Sequence, residues 1–227
     1  MTKIISFIGA PGCGKGFLIK YFRDRLSEQN PELNLQIDII SIGDMIRQEI
    51  KQQTALGNQI KESKKSGCLA PDKFINPLLK KRLYHSSASI IILDGYPRTM
   101  KQWEHLKEIT SNDELNIVYR DTNENIIRNR IMQRRVCETC GASHNVNEGF
   151  CSCGGKLIKR KDDEFWEDRM EEYKRTTLPM IKKLKTQKNF YTLNIDNLEI
   201  SENQKSKFDK YIVYFLQKSC KNNCKAI

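Results

Sequence analysis

The residues Gly9-Ala10-Pro11-Gly12-Cys13-Gly14-Lys15-Gly16 follow the apolar run Lys3-Ile4-Ile5-Ser6-Phe7-Ile8. Glycines at this spacing let consecutive backbone N–H groups turn toward one anion. A helix opening at Lys15 adds its positive N-terminal end, and the Lys15 ammonium can reach terminal phosphates. A strand, a glycine-rich loop and a lysine in that order imply a bound nucleoside triphosphate. The Ser or Thr that would follow such a lysine, and place a hydroxyl on magnesium, is Gly16 here, with Phe17 next. A second apolar run, Ser89-Ile90-Ile91-Ile92-Leu93, ends in Asp94. A parallel strand delivers such a carboxylate to the nucleotide crevice, where Asp94 is expected to hold Mg²⁺ through water.

A different chemistry is written between residues 136 and 155. Val136-Cys137-Glu138-Thr139-Cys140-Gly141 is a thiolate knuckle, and Phe150-Cys151-Ser152-Cys153-Gly154-Gly155 is a second cysteine pair followed by two glycines. Two such hooks can meet at one tetrahedral Zn²⁺, and four closed ligands leave no position for catalysis, so the role would be structural. The single spacer in Cys151-Ser152-Cys153 restricts how both sulfurs approach one ion. A site using His144, a three-ligand site and metal-free thiols therefore stand as alternatives to Cys137, Cys140, Cys151 and Cys153 together. Cys13 and Cys68 read as small buried fillers, and Cys220 and Cys224 as exposed thiols.

The elements that must position these groups alternate. Apolar, β-branched runs at Ile4–Ile8, Gln36–Ile40, Ser89–Leu93, Leu115–Tyr119 and Phe190–Ile195 are separated by helical patterns at Lys15–Glu28, Asp44–Gln53, Asn58–Ser66, Asp72–Tyr84, Thr99–Ile109, Asn123–Arg134, Asp163–Thr186 and Glu202–Lys218. That order predicts an α/β protein, a three-layer sandwich with a five-stranded parallel sheet and helices on both faces. Two stretches break the alternation, 41–70 with short helices and no strand, and 136–162 with Gly and Cys and little periodicity. Both read as insertions in a core made of 1–40, 71–135 and 163–227, and Lys218–Ile227 reads as a frayed tail.

With 227 residues, 38% of them hydrophobic and 30% charged, the chain can bury a sizeable core. It shows no apolar run near the roughly 18 residues that span a bilayer and no charged-then-apolar leader, so the cytoplasm is the expected compartment. The eight cysteines then argue for metal or buried thiols rather than disulfides. A net charge of +11 implies an anionic partner without saying which.

Taken in order, Gly9–Gly16, Ser41-Ile42-Gly43-Asp44-Met45-Ile46-Arg47, Asp94-Gly95-Tyr96-Pro97-Arg98-Thr99, Arg130-Ile131-Met132-Gln133-Arg134-Arg135 and Arg160-Lys161-Asp162-Asp163 resemble the adenylate kinase family. The resemblance runs from residue 3 to about residue 196. It implies reversible phosphoryl transfer from MgATP to AMP, giving two ADP, on a P-loop core with a mobile AMP-binding insertion (41–70) and a mobile lid (136–162). On the donor side it implies that Gly12, Cys13, Gly14, Lys15, Gly16 and Phe17 wrap the ATP phosphates. Arg130 would lie against the adenine, with Ser143 and His144 also on ATP. On the acceptor side, Arg47 and Arg98 would hold the AMP phosphate and Gln102 would read the base. Ile42, Cys68, Leu69, Ala70, Gly95, Tyr96 and Pro97 would line that pocket.

The resemblance makes Lys15, Arg98, Arg134, Arg160 and Arg169 the catalytic set, with Arg160 and Arg169 reaching AMP as well. Such a set suits a reaction that needs positioning and charge neutralisation more than covalent chemistry. Asp162 and Asp163 would close the lid, and metal-stapled lids occur in many bacterial members. The implied partners are ATP, AMP and ADP, with no nucleic acid and no membrane, and a monomer is expected. The chain departs from the family pattern at Phe17, at Ile42 beside the acceptor base, at Gln133 between two lid arginines and at the Cys-x-Cys hook. Two other readings stay open. One is a kinase for UMP or CMP, disfavoured by Gln102, where pyrimidine-directed relatives place Asn. The other is a zinc-ribbon nucleic-acid binder on a kinase-like scaffold, disfavoured by a ribbon that is not notably basic and carries the single ring of Phe150.

Overall fold

Lys3–Gly9 forms β1, and its five inner residues are all buried, which marks a strand covered on both faces. A computed structural model describes residues 2–29, 31, 36–63, 68–110, 115–194, 205, 206, 208–210 and 212. In chain order β1 is followed by α1 (Lys15–Gln29), β2 (Ile37–Ser41), α2 (Ile42–Lys51), α3 (Ala55–Ser63), α4 (Asp72–Tyr84), β3 (Ile90–Asp94), α5 (Met100–Ile109), β4 (Leu115–Asp121) and α6 (Glu124–Gln133). Then come β5 (Arg134–Cys137), β6 (Ser143–Asn145), β7 (Leu157–Ile158), α7 (Trp166–Glu172), α8 (Leu178–Leu184) and β8 (Phe190–Asn194).

Five strands pair in the order β2-β3-β1-β4-β8, all parallel. Burial follows position, with β1, β3 and β4 buried almost throughout and the edge strands β2 and β8 largely half-exposed. The period of two separates the faces. Ile4 and Ile8 of β1 join Ile91 and Leu93 of β3 in a cluster with Trp103 and Met180, while Ile5, Phe7, Ile90 and Ile92 pack on Leu18, Ile19 and Phe22 of α1. The result is the three-layer α/β architecture, with both layers of helices closing on one sheet. From β1 the chain turns to one side of the sheet for β2 and β3, then to the other for β4. The crevice at the C-terminal ends of β1, β3 and β4 is therefore the switch point at which such sheets bind ligands.

α2 opens at Ile42 rather than Asp44 because Ser41 is its cap, its hydroxyl accepting from the Asp44 N–H at 3.3 Å. α3 lies so close to α2 that a Cβ on Gly57 would stand 2.2 Å from the Glu49 carbonyl oxygen. Three departures from the sequence reading are physical. A three-stranded antiparallel sheet, β6-β5-β7, runs from Arg134 into the 136–162 insertion, with strands too short to show a period of two. Arg134, expected at the end of a helix, is extended and begins β5. The helix expected over Asp163–Thr186 is a 3₁₀ turn at Lys161–Asp163, then α7, a π-helical turn at Tyr173–Thr177 and α8. Pro179, near the start of α8, has no N–H to donate and crowds the carbonyl four residues earlier, which favours wider hydrogen bonding just before it. Phe208 and Ile212 pack on the α1 side of the sheet, and most of the helix expected over Glu202–Lys218, with Cys220 and Cys224, falls outside the described residues.

Candidate active site

The loop after β1 turns through Gly12 and Gly14, whose φ angles of +86° and +93° suit glycine alone. At Gly14 a Cβ would also lie 2.0 Å from Arg130 Nη1 and 2.8 Å from Arg120 Nη1, so a side chain there would have to displace the two guanidiniums. Lys15 Nζ donates to the Gly9 and Ala10 carbonyls, each at 3.1 Å, so the ammonium sits across the mouth of its own loop. Trp166 of α7 donates its indole N–H to the Pro11 carbonyl at 3.1 Å and ties the loop to the long C-terminal helical segment. Asp94 ends β3 in register with Phe7 of β1 and Ser41 of β2, beside the loop at the same edge of the sheet. Its carboxylate suits a water-bound Mg²⁺ there.

Arginines converge across the crevice from this loop. Arg98 follows the turn after β3, its Nε–H donating to the Gly95 carbonyl at 2.6 Å. Burial lowers its pKa, opposed by Asp94 and reinforced by Arg47 and Arg160. Arg169 on α7 is lowered to about 10 by burial first, then by Arg98 and Arg160. Arg47 of α2 lies 3.5 Å from Asp162, which also accepts from Arg160 at 2.9 Å, and the Asp162 carbonyl accepts from Arg169 at 3.4 Å. Arg134 forks onto Asp163 through Nε at 3.0 Å and through Nη2, a bidentate pair with both side chains nearly nine-tenths buried. Like charges from α2, the β3–α5 turn, the segment before the 3₁₀ turn and α7 are thus assembled against their own repulsion. A site so built suits a strongly anionic ligand.

The remaining residues expected on the acceptor side are placed as follows. Gln102 is 3% exposed, accepts from the Arg98 N–H at 2.8 Å and donates to Asp72 at 2.6 Å, so its amide joins the turn after β3 to the start of α4. Tyr96, next to Pro97 across a cis peptide, turns its hydroxyl to Asn76 at 3.0 Å within the core. Ile42 and Ala70 are buried in the core cluster, while Cys68 and Leu69 are half-buried. Of the residues expected on the donor side, Phe17, Arg130, Arg134, Ser143 and His144 line one cleft between α1, α6 and β6, together with Gln133, Asn145 and Glu148. Phe17 is 47% exposed there, and His144 Nδ1 lies 2.6 Å from Glu148, which raises the imidazole pKa.

Arg120 lies one residue past the apolar run Leu115–Tyr119 and belongs to none of the motifs quoted from the sequence. It is 2% exposed, at the end of β4, and its Nη1 donates to the Gly14 carbonyl at 2.8 Å. Burial lowers its pKa to about 10, with Arg130 adding to the shift and Cys13 opposing it. In sequence its one signal is an arginine ending a buried-strand pattern, and its place beside the phosphate-type loop follows only from the pairing of β1 with β4.

The four cysteines form the only metal-capable group of His, Cys, Asp and Glu among the described residues, their sulfurs all within 4.8 Å of one another. Cys137–Cys153, Cys140–Cys151 and Cys151–Cys153 are each separated by 3.5 Å. Tetrahedral Zn²⁺ with bonds of about 2.3 Å asks for sulfurs roughly 3.8 Å apart, so the donor set fits that ion. The Cys-x-Cys hook brings both its sulfurs to the cluster, while His144 lies outside the four-sulfur group, paired with Glu148 and in contact with Cys151. Gly155 is required at its place, because a Cβ there would meet Cys137 Sγ at 2.3 Å.

Comparison with known proteins agrees with this architecture. A family model described as adenylate kinase matches residues 7–189. The chain is 34% identical over 210 residues to adenylate kinase from Mycoplasma capricolum, covering 87% of this chain and 94% of that protein. It is 37% identical over 190 residues to the adenylate kinase of Caldicellulosiruptor saccharolyticus, covering 77% and 83%, and 36% identical over 201 residues to that of Fervidobacterium nodosum, covering 83% and 88%.

Proposed function

The chain belongs to the adenylate kinase family and is a nucleoside monophosphate kinase, and on that footing we propose that it transfers a phosphoryl group reversibly from MgATP to AMP, giving two ADP. The observation that carries the reading is the arginine cluster opposite the phosphate loop, in which Arg47, Arg98, Arg160 and Arg169 surround Asp162. The loop from Gly12 to Phe17 holds the donor phosphates through backbone N–H groups, with Lys15 leaving the Gly9 and Ala10 carbonyls to follow the transferred group. Arg130 and the cleft of Phe17, Ser143 and His144 take the donor nucleoside. Arg47 and Arg98 fix the acceptor phosphate, while Arg134, Arg160 and Arg169 neutralise the charge that spreads over the transferring oxygens.

Asp94 would hold Mg²⁺ through water, and when bound the ion screens the phosphate charges. Zn²⁺ on Cys137, Cys140, Cys151 and Cys153 would staple the lid and take no part in chemistry. Residues 41–70 act as the acceptor insertion and 136–162 as the lid. Asp162 and Asp163 hold the arginines in place until phosphates exchange for the carboxylates, so closure and assembly of the catalytic set are one event. The enzyme works as a cytoplasmic monomer. Among the described residues no helix is long and apolar enough to cross a membrane.

The test is an acceptor panel. Protein given MgATP with AMP, UMP, CMP or GMP is expected to form ADP with AMP at a kcat/KM at least about tenfold above the others. Preference for UMP or CMP, or no AMP turnover, contradicts the reading.

A further inference from the structure

Arg120 stands beneath the loop proposed to hold the donor phosphates, and the role inferred for it rests on that proposal. Its backbone is in register with Gly9 across β1, and its side chain is the largest of the fully buried ones among the described residues. A guanidinium in that position is costly to desolvate unless a countercharge is supplied. Among the described residues no carboxylate lies within ion-pair distance, Nη1 has the Gly14 carbonyl at 2.8 Å, and the buried Nε–H has no partner. The neighbouring charge has the same sign, because the guanidiniums of Arg120 and Arg130 crowd the same point beside Gly14. Gly16 and Phe17 bring no hydroxyl to this loop, so its hold on phosphate depends on backbone N–H groups and cations.

We propose that Arg120 is a positioning residue of the donor site, fixing the Gly14 peptide so that the loop's N–H groups face the triphosphate and adding, with Arg130, a buried positive charge beneath it. The anion that balances the two guanidiniums is the donor's polyphosphate. The proposal assigns Arg120 no contact with the acceptor nucleotide.

Three variants separate the parts of this role. Arg120→Lys keeps the charge without the fork, Arg120→Gln keeps an N–H donor without the charge, and Arg120→Met keeps neither. Affinity for a non-hydrolysable MgATP analogue is read by calorimetry, with KM for ATP and for AMP from steady-state kinetics. Arg120→Met is expected to weaken analogue binding and raise the ATP KM by about tenfold, with the AMP KM within about twofold and partial recovery in Arg120→Lys. Analogue affinity within about twofold of wild type in both Arg120→Gln and Arg120→Met overturns the inference. So does a parallel loss of ATP and AMP affinity that tracks the melting temperature, as a merely structural residue would give. Should Arg120→Met not fold, the comparison of Arg120→Lys with Arg120→Gln decides, tighter analogue binding by the lysine variant being the expected result and equal binding the contrary one. Wild-type protein that binds the analogue without phosphorylating AMP refutes the proposed function alone, whereas wild-type turnover of AMP with unaltered variants refutes the role of Arg120 alone.

Discussion

If Arg98 holds the acceptor phosphate as proposed, its setting explains why an arginine and not a lysine stands there. One nitrogen of its fork is held by the Gly95 carbonyl while the backbone carbonyl accepts from Thr177, so the planar head is preset before any nucleotide arrives. Lysine would keep the charge but lose paired contacts worth about 2–3 kcal/mol, so Arg98→Lys is expected to lower kcat/KM for AMP roughly 100-fold with little change in melting temperature. Asp162 offers a prediction in pH. Burial raises its pKa, but Arg160, Arg169 and Arg47 outweigh burial and hold it below the ordinary 3.8. A carboxyl depressed in the folded state stabilises the fold fully above its unfolded pKa and loses that contribution as pH falls through the folded one. The melting temperature of wild type minus that of Asp162→Asn should therefore be constant above about pH 5 and shrink below about pH 4. A difference independent of pH would show that the Asp162 charge does not hold the arginines. These arginines were legible because their motifs fix residue type and order. Arg120 was not, since its neighbours read as an ordinary strand end and only the folded sheet brings it under Gly14.

Among the elements, the sheet core followed from the alternation of β-branched runs and helical stretches, and Ser41, Thr99 and Asn123 appear as the side-chain caps that start α2, α5 and α6. The lid sheet did not, because strands of two to four residues carry no readable period and β5-β6-β7 are aligned by the cysteine hooks and their turns. Nor did the π-helical turn, where α7 and α8 share one helical pattern in sequence. If the hooks hold the lid through Zn²⁺, Cys153→Ser should release the metal found with freshly purified wild type and lower the melting temperature by several degrees. Gly155→Ala should do the same in milder form by pressing on Cys137, while Gly149→Ala, where a Cβ meets nothing within 4 Å, should be silent. Equal metal content and stability in wild type and Cys153→Ser would remove these ligands from the proposal.

At the scale of the whole molecule, the phosphate loop, the α2 segment and the lid boundary meet at one crevice, and the ion pair of Arg47 with Asp162 joins the second to the third. Under the proposed function, phosphates arriving on both sides would compete with the carboxylates for the same guanidiniums, so each nucleotide should favour the arrangement that binds the other. The central claim is that both sides accept an adenine nucleotide and that the closed crevice excludes water. Supplying Mg²⁺ and ADP alone tests it most directly, with products followed by phosphorus NMR. The expected result is ATP and AMP appearing in equal amounts without inorganic phosphate. Inorganic phosphate as the main product, or no ATP at all, would contradict it.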